Sequence, residues 1–166
     1  MKILNNNYSF LFFFIKKGIL CILLGVFFSC SEKEVFSEFH SFSKAEWGQN
    51  DILKFQVPVY DTLSYYDVFL ELRNNNDYPF RNIWLFIDSE SPNGEVRSDT
   101  LNAELADIYG KWYGKGIGVY TYSFPYELHM QYKDTGTYVY SIRQGMRENP
   151  LKGISDIGLR VSKIAD

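Results

Sequence analysis

The sequence predicts an all-β protein, a single domain folded as an antiparallel β-sandwich of about seven to eight strands. From residue 51 onward, apolar side chains recur with a period of two rather than 3.6. Turn-forming residues separate short apolar segments, as in sandwiches. The sequence shows no long amphipathic helix, which a parallel sheet would need for its crossover connections. A length of 166 residues leaves room for one sizeable core.

Strands are predicted wherever apolar and aromatic residues alternate or cluster between turn signals: residues 52–57, 65–72, 83–88, 95–105, 119–122, 124–132, 137–143 and 154–164. Pro58, just after the first strand, marks an edge or a bend because proline donates no ladder hydrogen bond. Segment 83–88 is apolar on both faces, which predicts a strand inside the sandwich with Trp84 buried. Asn93-Gly94 supplies the positive φ of a tight hairpin.

The later elements show three departures from regular alternation. The second half of the strand after the hairpin, together with Ile108, also fits a helix. Four glycines within residues 110–118 predict a loop. Pro125 breaks the strand material that follows. The closing strand then keeps its apolar residues on one face: Ile157, Leu159 and Val161.

Composition and charge exclude two classes of function. Of the 17 basic residues, three lysines lie within residues 1–29, which contain no acid. The remaining 14 bases and 20 acids give the rest of the chain a net charge of −6. It therefore lacks the basic surface that displaces phosphate counterions, and we expect no nucleic-acid partner. With 46% hydrophobic and 18% aromatic residues, it is not a disordered chain.

The first thirty residues have the organisation of a secretory signal. Two lysines precede an apolar run, residues 18–28, which rises only about 16 Å as a helix against a hydrocarbon layer of ~30 Å. Ser29-Cys30 follows directly and resembles the lipobox of bacterial lipoproteins, in which the cysteine is acylated, commonly with palmitate, and becomes the mature N-terminus. We expect a lipoprotein signal peptide over 1–29 and lipidation of Cys30. One alternative is an ordinary cleaved signal with an incidental thiol. The other, less favoured, is an uncleaved anchor over residues 8–28, which would place Lys16 and Lys17 in the middle of the membrane.

After the signal, we expect an acylated tether over residues 30–49 and the β-sandwich domain over 50–166. Residues 31–49 are polar and mixed, which favours a tether that lifts the domain off the membrane. Cys21 leaves with the signal and Cys30 carries lipid. No thiol then remains for a disulfide, a metal or catalysis.

The sequence contains no recognisable catalytic or metal-binding motif. Zinc sites draw on convergent His or Cys, whereas His40 and His129 are far apart in the chain. Gly114-Lys-Gly116 lacks the Ser or Thr that follows the lysine of a phosphate loop. The acids near the hairpin could include a carboxylate pair for glycoside hydrolysis, but a solvated outer face is the favoured interpretation. These acids are Asp88, Glu90, Asp99, Glu104 and Asp107. We expect no enzyme, metal, cofactor or small-molecule substrate.

Two pairs of residues are candidates for a protein-binding surface, because aromatic residues, Met and Arg are enriched in interfaces. Trp112 and Tyr113 lie in the glycine-rich loop, where filling the end of the sandwich is the alternative. Met146 and Arg147 lie in an irregular segment, where the alternative is a buried plug with a structural ion pair.

Two Asp-Thr-Leu triplets resemble the short O-glycosylation acceptor of the Bacteroidota. They make Thr62 and Thr100 candidate modification sites.

Three blocks resemble, in order and spacing, the gliding motility lipoprotein GldH family of the Bacteroidota: Tyr78-Pro-Phe-Arg-Asn-Ile-Trp-Leu-Phe-Ile87, Gly110-Lys-Trp-Tyr-Gly-Lys-Gly-Ile-Gly118 and Gly145-Met-Arg-Glu-Asn-Pro-Leu-Lys-Gly-Ile-Ser-Asp-Ile-Gly-Leu-Arg160. The resemblance implies a lipid-anchored protein of the outer membrane, and we expect it at the periplasmic face rather than the cell surface. It also implies a non-catalytic role beside protein partners in gliding machinery linked to type IX secretion. The alternatives are a glycan-binding sandwich, which requires exposed rings at Trp47, Trp84 or Trp112, and a hydrolase with paired acids.

Overall fold

The structure, a computed structural model, describes residues 33–164 and confirms the all-β class over that range. A 3₁₀ turn at Ser43–Ala45 interrupts the strands. The ten strands are β1 (Lys33–Ser41), β2 (Glu46–Trp47), β3 (Leu53–Val59), β4 (Tyr66–Asn75), β5 (Asn82–Glu90), β6 (Val96–Glu104), β7 (Val119–Met130), β8 (Gly136–Gln144), β9 (Leu151–Lys152) and β10 (Ile154–Lys163). The sequence periodicity predicts neither β1 nor the two-residue strands. Within residues 33–164, no helix is both long enough and apolar enough to cross a bilayer.

Two four-stranded antiparallel sheets form the sandwich. The first sheet has the order β1-β10-β4-β7 and the second β3-β8-β5-β6, with a small β2-β9 pair beside them. The inner faces supply one core, in which Phe55 of β3 and Leu159 of β10 are fully buried. The closing strand buries the side chains that its alternation predicts: Ile157, Leu159 and Val161.

The segment expected to be a tether is part of the folded domain from residue 33 onward. β1 pairs with β10 from its first residue to its last, across one bulge. Trp47 of β2 is fully buried, and its indole N–H donates to the Asp51 carbonyl oxygen at 2.9 Å. The tether prediction is wrong for residues 33–49 because β1 is an edge strand, whose backbone is paired while most of its side chains stay in water. Residues 30–32 lie outside the described range.

Both prolines within strands lie at sheet edges. Pro58 lies in β3, an edge of the second sheet, as the sequence predicts. Pro125 lies in β7, a strand of 12 residues at an edge of the first sheet, and the register with β4 shifts between Pro125 and Glu127. The predicted break at Pro125 is therefore a register shift and not the end of a strand, because an edge strand has one side on which a missing N–H costs no ladder bond.

The β5–β6 hairpin forms where Asn93-Gly94 predicts it. Gly94 has φ +85°, and its N–H donates to the Ser91 carbonyl oxygen at 2.9 Å. β6 then runs antiparallel to β5 as far as Glu104, so the helical alternative for its second half does not hold.

The strand directions define two ends of the sandwich. The near end is where β1 begins, marked by a row of paired residues across the first sheet: Lys33, Lys163, Tyr66 and Met130. The far end carries the segments between β6 and β7 and between β8 and β10. Strands of nine or ten residues, at ~3.3 Å per residue, place the two ends roughly 30 Å apart.

Candidate functional site

The glycine-rich loop between β6 and β7 has a shape defined by its own hydrogen bonds. The Asp107 carboxylate accepts the backbone N–H groups of Lys111 (2.9 Å) and Tyr109 (2.8 Å). These bonds, that of Lys111 first, hold the pKa of Asp107 below its usual range. Gly110 makes the turn with φ +83°, and fully buried Leu105 fixes the base of the loop.

The two adjacent aromatic residues of this loop, Trp112 and Tyr113, lie in different environments. Trp112 is half-buried against the core, with its ring 5.7 Å from that of Tyr120 and 6.4 Å from that of Tyr78. Tyr113 donates its N–H to the Leu105 carbonyl oxygen at 2.9 Å, which leaves its side chain 60% exposed. Trp112 thus fills the far end, while Tyr113 is available for contact.

The second half of the loop folds back along β7. Lys115 and Thr121 exchange backbone hydrogen bonds of 2.9 and 3.0 Å. Gly116 has φ +143°, and a Cβ there would overlap the carbonyl oxygen of Val119. Glycine is therefore required for the close backbone approach, and Ile117 at the tip is fully exposed.

The segment after β8 is organised by a buried amide. Gln144 is 1% exposed; its Oε1 accepts the Met146 N–H at 2.7 Å, and its Nε2 donates to the Glu148 carbonyl oxygen at 3.0 Å. The Met146 sulfur accepts the backbone N–H of Trp84 at 3.4 Å. Met146 is thereby half-buried against β5, whereas Arg147 is exposed.

An open groove of ≈ 440 Å³ lies beside this segment, on the outer face of the second sheet. Its walls are mostly apolar: Phe80, Asn82, Trp84, Phe86, Gly145, Met146 and Arg147. The expectation that Trp84 is buried is wrong, since it is 43% exposed. β5 alternates, so Ile83 and Leu85 face the core while Trp84 and Phe86 point outward.

A second hollow, of ≈ 320 Å³, adjoins the groove. It is lined by Arg81, Asn82, Asn102, Glu104, Ala106, Asp107, Ile108 and Tyr113. Asn82 lines both, and its side-chain amide donates to Asn102 Oδ1 at 2.6 Å. The structure therefore brings Tyr113 and Arg147 onto adjoining parts of one far-end surface. We define this surface as Trp84, Ile108, Tyr113, Met146 and Arg147 from the two linings, with the exposed loop residues Tyr109 and Ile117.

The far-end surface includes residues that the sequence reasoning missed. Ile108, Tyr109 and Ile117 are 74%, 88% and 101% exposed, although each is a large hydrophobic residue. These residues lie among glycines and turn-forming residues, which is a pattern that predicts exposure because such loops run over the surface. For Trp84, the period of two of a strand predicts that every second residue of β5 faces outward. The sequence of β5 does not show this, because its residues are apolar on both faces.

The two histidines lie at opposite ends of the sandwich, and two of the candidate acids lie on opposite faces of one sheet. His40 contacts Phe55 at the edge of its ring, and His129 stacks on Tyr65 at the other end of the sandwich. Asp99 is paired with buried Ile87, so it and Asp88 lie on opposite faces of the second sheet. Among these residues, no cluster of three or more His, Cys, Asp or Glu side chains is arranged to hold a metal ion.

The candidate modification sites have different settings. Thr100 is exposed on β6, at the edge of the second sheet, and Thr62 is half-buried in the β3–β4 loop. Cys30 lies outside the described residues.

Comparison with known proteins gives the chain its family. Residues 34–161 match the model of the GldH lipoprotein family. The chain belongs to this family. A gliding motility lipoprotein GldH homolog of Christiangramia forsetii is 35% identical over 146 residues, which cover 83% of this chain and 89% of the relative. The gliding motility lipoprotein GldH of Flavobacterium johnsoniae is 34% identical over 154 residues, which cover 88% and 95%. The resemblance carried by the three sequence blocks is confirmed.

One solved structure shares part of the shape of this GldH-family chain. It is a family GH115 4-O-methyl-alpha-glucuronidase with specificity for decorated arabinogalactans. The match covers 81% of this chain and 18% of the enzyme, with a TM-score of 0.41 and 9% identity. A likeness this low carries no argument about function.

Proposed function

We propose that this GldH-family chain is a membrane-anchored, non-catalytic lipoprotein of gliding machinery linked to type IX secretion. The observation that carries the proposal is the family match over residues 34–161, with the Ser29-Cys30 acylation motif directly upstream. Both relatives bear the name gliding motility lipoprotein GldH or its homolog.

The proposed anchor is lipid on Cys30, in the outer membrane, with the domain at the periplasmic face. Acyl chains contribute ~0.8 kcal/mol per buried CH₂, and two or more chains make attachment stable. An anchored domain meets envelope proteins at a high effective concentration, so a modest interface suffices for binding.

The proposed contact site for those partners is the far-end surface. Tyr113 and Arg147 are exposed there, and their chain neighbours Trp112 and Met146 are half-buried against the core. Large exposed apolar side chains beside an arginine have the composition of a protein interface.

The anchor is tested by Cys30→Ala in cells, with Cys21→Ala as the matched control. We expect the first variant to leave the membrane fraction and to lose gliding or type IX-dependent secretion. Cys21 lies in the segment removed with the signal, so its replacement should change neither. A soluble Cys30→Ala protein that supports normal function would contradict the proposal.

The contact site is tested with a photo-crosslinking amino acid at Tyr113 or Arg147 in intact cells. Gln56, exposed on the outer face of β3, is the control position. We expect envelope proteins to be captured at the first two positions and not at the third. Equal capture at all three would remove the far-end surface as the partner site.

The exposure of Trp84 favours a second candidate, a glycan-binding lipoprotein. Its ring borders the 440 Å³ groove with the amide of Asn82 close by, whereas Trp47 is fully buried. We expect retention on a Bacteroidota cell polysaccharide that Trp84→Ala abolishes and Tyr113→Ala preserves. No retention of the wild-type protein on any such polysaccharide would dismiss this candidate.

We also propose O-glycosylation at Thr62 and Thr100. The intact mass of the mature protein should exceed that of polypeptide plus lipid by a sugar mass that is lost in Thr62→Val and Thr100→Val. A mass without sugar rejects both sites.

A further inference from the structure

We propose that the near end of the sandwich is a bilayer-contacting surface. Its central residue is Leu63 in the β3–β4 loop, with Tyr60, Tyr65 and Leu128 around it. The occupant is the lipid interface of the membrane in which the chain is anchored, so this inference rests on the proposed acylation of Cys30.

The length of chain outside the structure brings this end to the membrane. Three residue steps separate Cys30 from Lys33, where β1 begins, and they span about 10 Å at most at ~3.3–3.6 Å per residue. Lys33 pairs with Lys163, whose ammonium bonds the Asp61 carboxylate at 2.7 Å. The β3–β4 loop therefore lies next to the point at which the acylated segment leaves the domain.

The loop is built to hold an apolar side chain outward. The Asp61 carboxylate accepts the Leu63 N–H (2.8 Å) and the Ser64 hydroxyl (2.7 Å), in addition to Lys163. Gln131 donates its side-chain amide to the Leu63 carbonyl oxygen at 2.9 Å. The backbone of Leu63 is thus fixed from two sides while its side chain is 87% exposed.

The neighbours of Leu63 suit a membrane interface. Tyr60 is 87% exposed, and Tyr65 stacks on His129 at 4.1 Å beside Leu128, which is 57% exposed. Tyrosine has an apolar ring and a polar tip, which is why it is enriched at the level of lipid headgroups. Leu63 and Leu128 therefore lie beside side chains that suit the headgroup level.

Charge indicates how this surface binds. The chain after residue 29 is acidic, and the near-end residues Lys163 and Lys133 are paired with Asp61 and Glu95, so we expect apolar insertion rather than attraction to anionic lipid to drive the contact. Contact with the bilayer then depends on apolar insertion, and it should not change when anionic lipid is replaced by zwitterionic lipid.

The test uses the anchored protein in vesicles of phosphatidylethanolamine and phosphatidylglycerol that contain nitroxide-labelled acyl chains. After Cys30 the sequence has no cysteine, so Leu63→Cys offers one site for a polarity-sensitive dye. Ile117→Cys, at the exposed far end, is the matched control. We expect several-fold stronger quenching and a blue-shifted emission at position 63, and neither at position 117.

A second variant keeps the anchor and changes only the surface. In a Leu128→Cys background, Leu63→Glu should reduce quenching at position 128 several-fold, because a charge now opposes insertion. Ile52→Glu, at an exposed far-end position, should leave it unchanged.

The outcomes separate the anchor from the surface. Dye incorporation into the wild-type protein would show a free Cys30 thiol, which rejects the acylation and this inference with it. A blocked wild type with equal quenching at positions 63 and 117 would overturn the bilayer contact alone. Disulfide-linked dimers of Leu63→Cys on vesicles would assign the surface to a second copy of the chain and likewise overturn it.

Discussion

The two ends of the sandwich both expose apolar side chains, yet they are constructed differently. At the near end, Asp61 and Lys163 hold a short loop around Leu63. At the far end, the Asp107 carboxylate and the buried amide of Gln144 accept backbone N–H groups and hold two longer segments in place. The near end adjoins Lys33, where β1 begins, and the far end is roughly 30 Å away.

One edge strand, β1, decides which end of the domain lies nearest the proposed anchor. Because β1 begins at the near end and pairs along β10, the proposed anchor and the far-end surface lie at opposite ends. A long tether would have left the orientation of the domain undetermined. Four measurements test this contrast between the two ends.

The largest effect is expected for Trp47→Ala. Trp47 is fully buried at the far end and stacks on Phe42 at 5.0 Å, so its removal should cost about 3–5 kcal/mol of unfolding free energy. Urea unfolding of the mature domain measures it. Tyr109→Ala, at an exposed position of the same end, is the control and should change stability little. An unchanged urea midpoint for Trp47→Ala would instead support the predicted tether.

The next effect compares two glycines with nearly the same backbone. Gly153 (φ +84°) and Gly94 (φ +85°) lie at the far and near ends. A Cβ at Gly153 would overlap the Tyr78 backbone, whereas nothing lies within 4 Å of one at Gly94. Gly94→Ala should cost about 1 kcal/mol from φ alone, and Gly153→Ala at least about 3 kcal/mol. The decrease in melting temperature of each variant measures the effect. Equal decreases would show that the backbone around Gly153 relaxes as easily as that around Gly94.

A pH-dependent effect compares the two loop-holding carboxylates. The Lys163 ammonium holds the pKa of Asp61 well below its usual range. A lowered folded-state pKa stabilises the protein above the unfolded pKa of ~3.9, and this contribution disappears as the pH falls through the folded value. Asp61→Asn should therefore be less stable than wild type at pH 7, and the gap should close in strong acid.

Asp107→Asn is the far-end counterpart of that change. The asparagine oxygen can still accept the Lys111 and Tyr109 N–H groups, so we expect a smaller gap at pH 7. Urea midpoints at pH 7 and in strong acid measure both variants. A pH-independent gap for Asp61→Asn would contradict the role of its ion pair.

The smallest effect on stability is expected for Leu63→Ser and Ile117→Ser, each within about 0.5 kcal/mol. Both residues are highly exposed, so little packing is lost. Their functions should separate, with weaker bilayer contact for the first and weaker crosslinking of partners for the second. If either variant weakened both activities, the two ends would not be independent.

Much of the fold is predictable from local pattern. Alternation in β10 gives its buried face, and Asn93-Gly94 gives the hairpin, because both depend on residues within a few positions. Local pattern fails at β1, whose mostly exposed side chains hide a backbone that is paired with β10 along the strand. It also fails at Pro125, because the sequence does not record that β7 is an edge strand.

The candidate site is only partly predictable. The sequence singles out Tyr113 and Arg147 by residue type, but their meeting around Asn82 depends on how distant strands pair. The exposure of Trp84 and of Leu63 is a property of position, since neither residue differs in type from those in the core.

The residue pattern alone carries the β class, the family and the Ser29-Cys30 motif on which the proposed anchor rests. Tertiary structure alone decided that residues 33–49 join the sandwich, which apolar residues stay in water and that the domain has two unlike ends. The physical reason is that a period of two records which residues share a face of a strand. Which of those faces is covered depends on the packing of one sheet against the other.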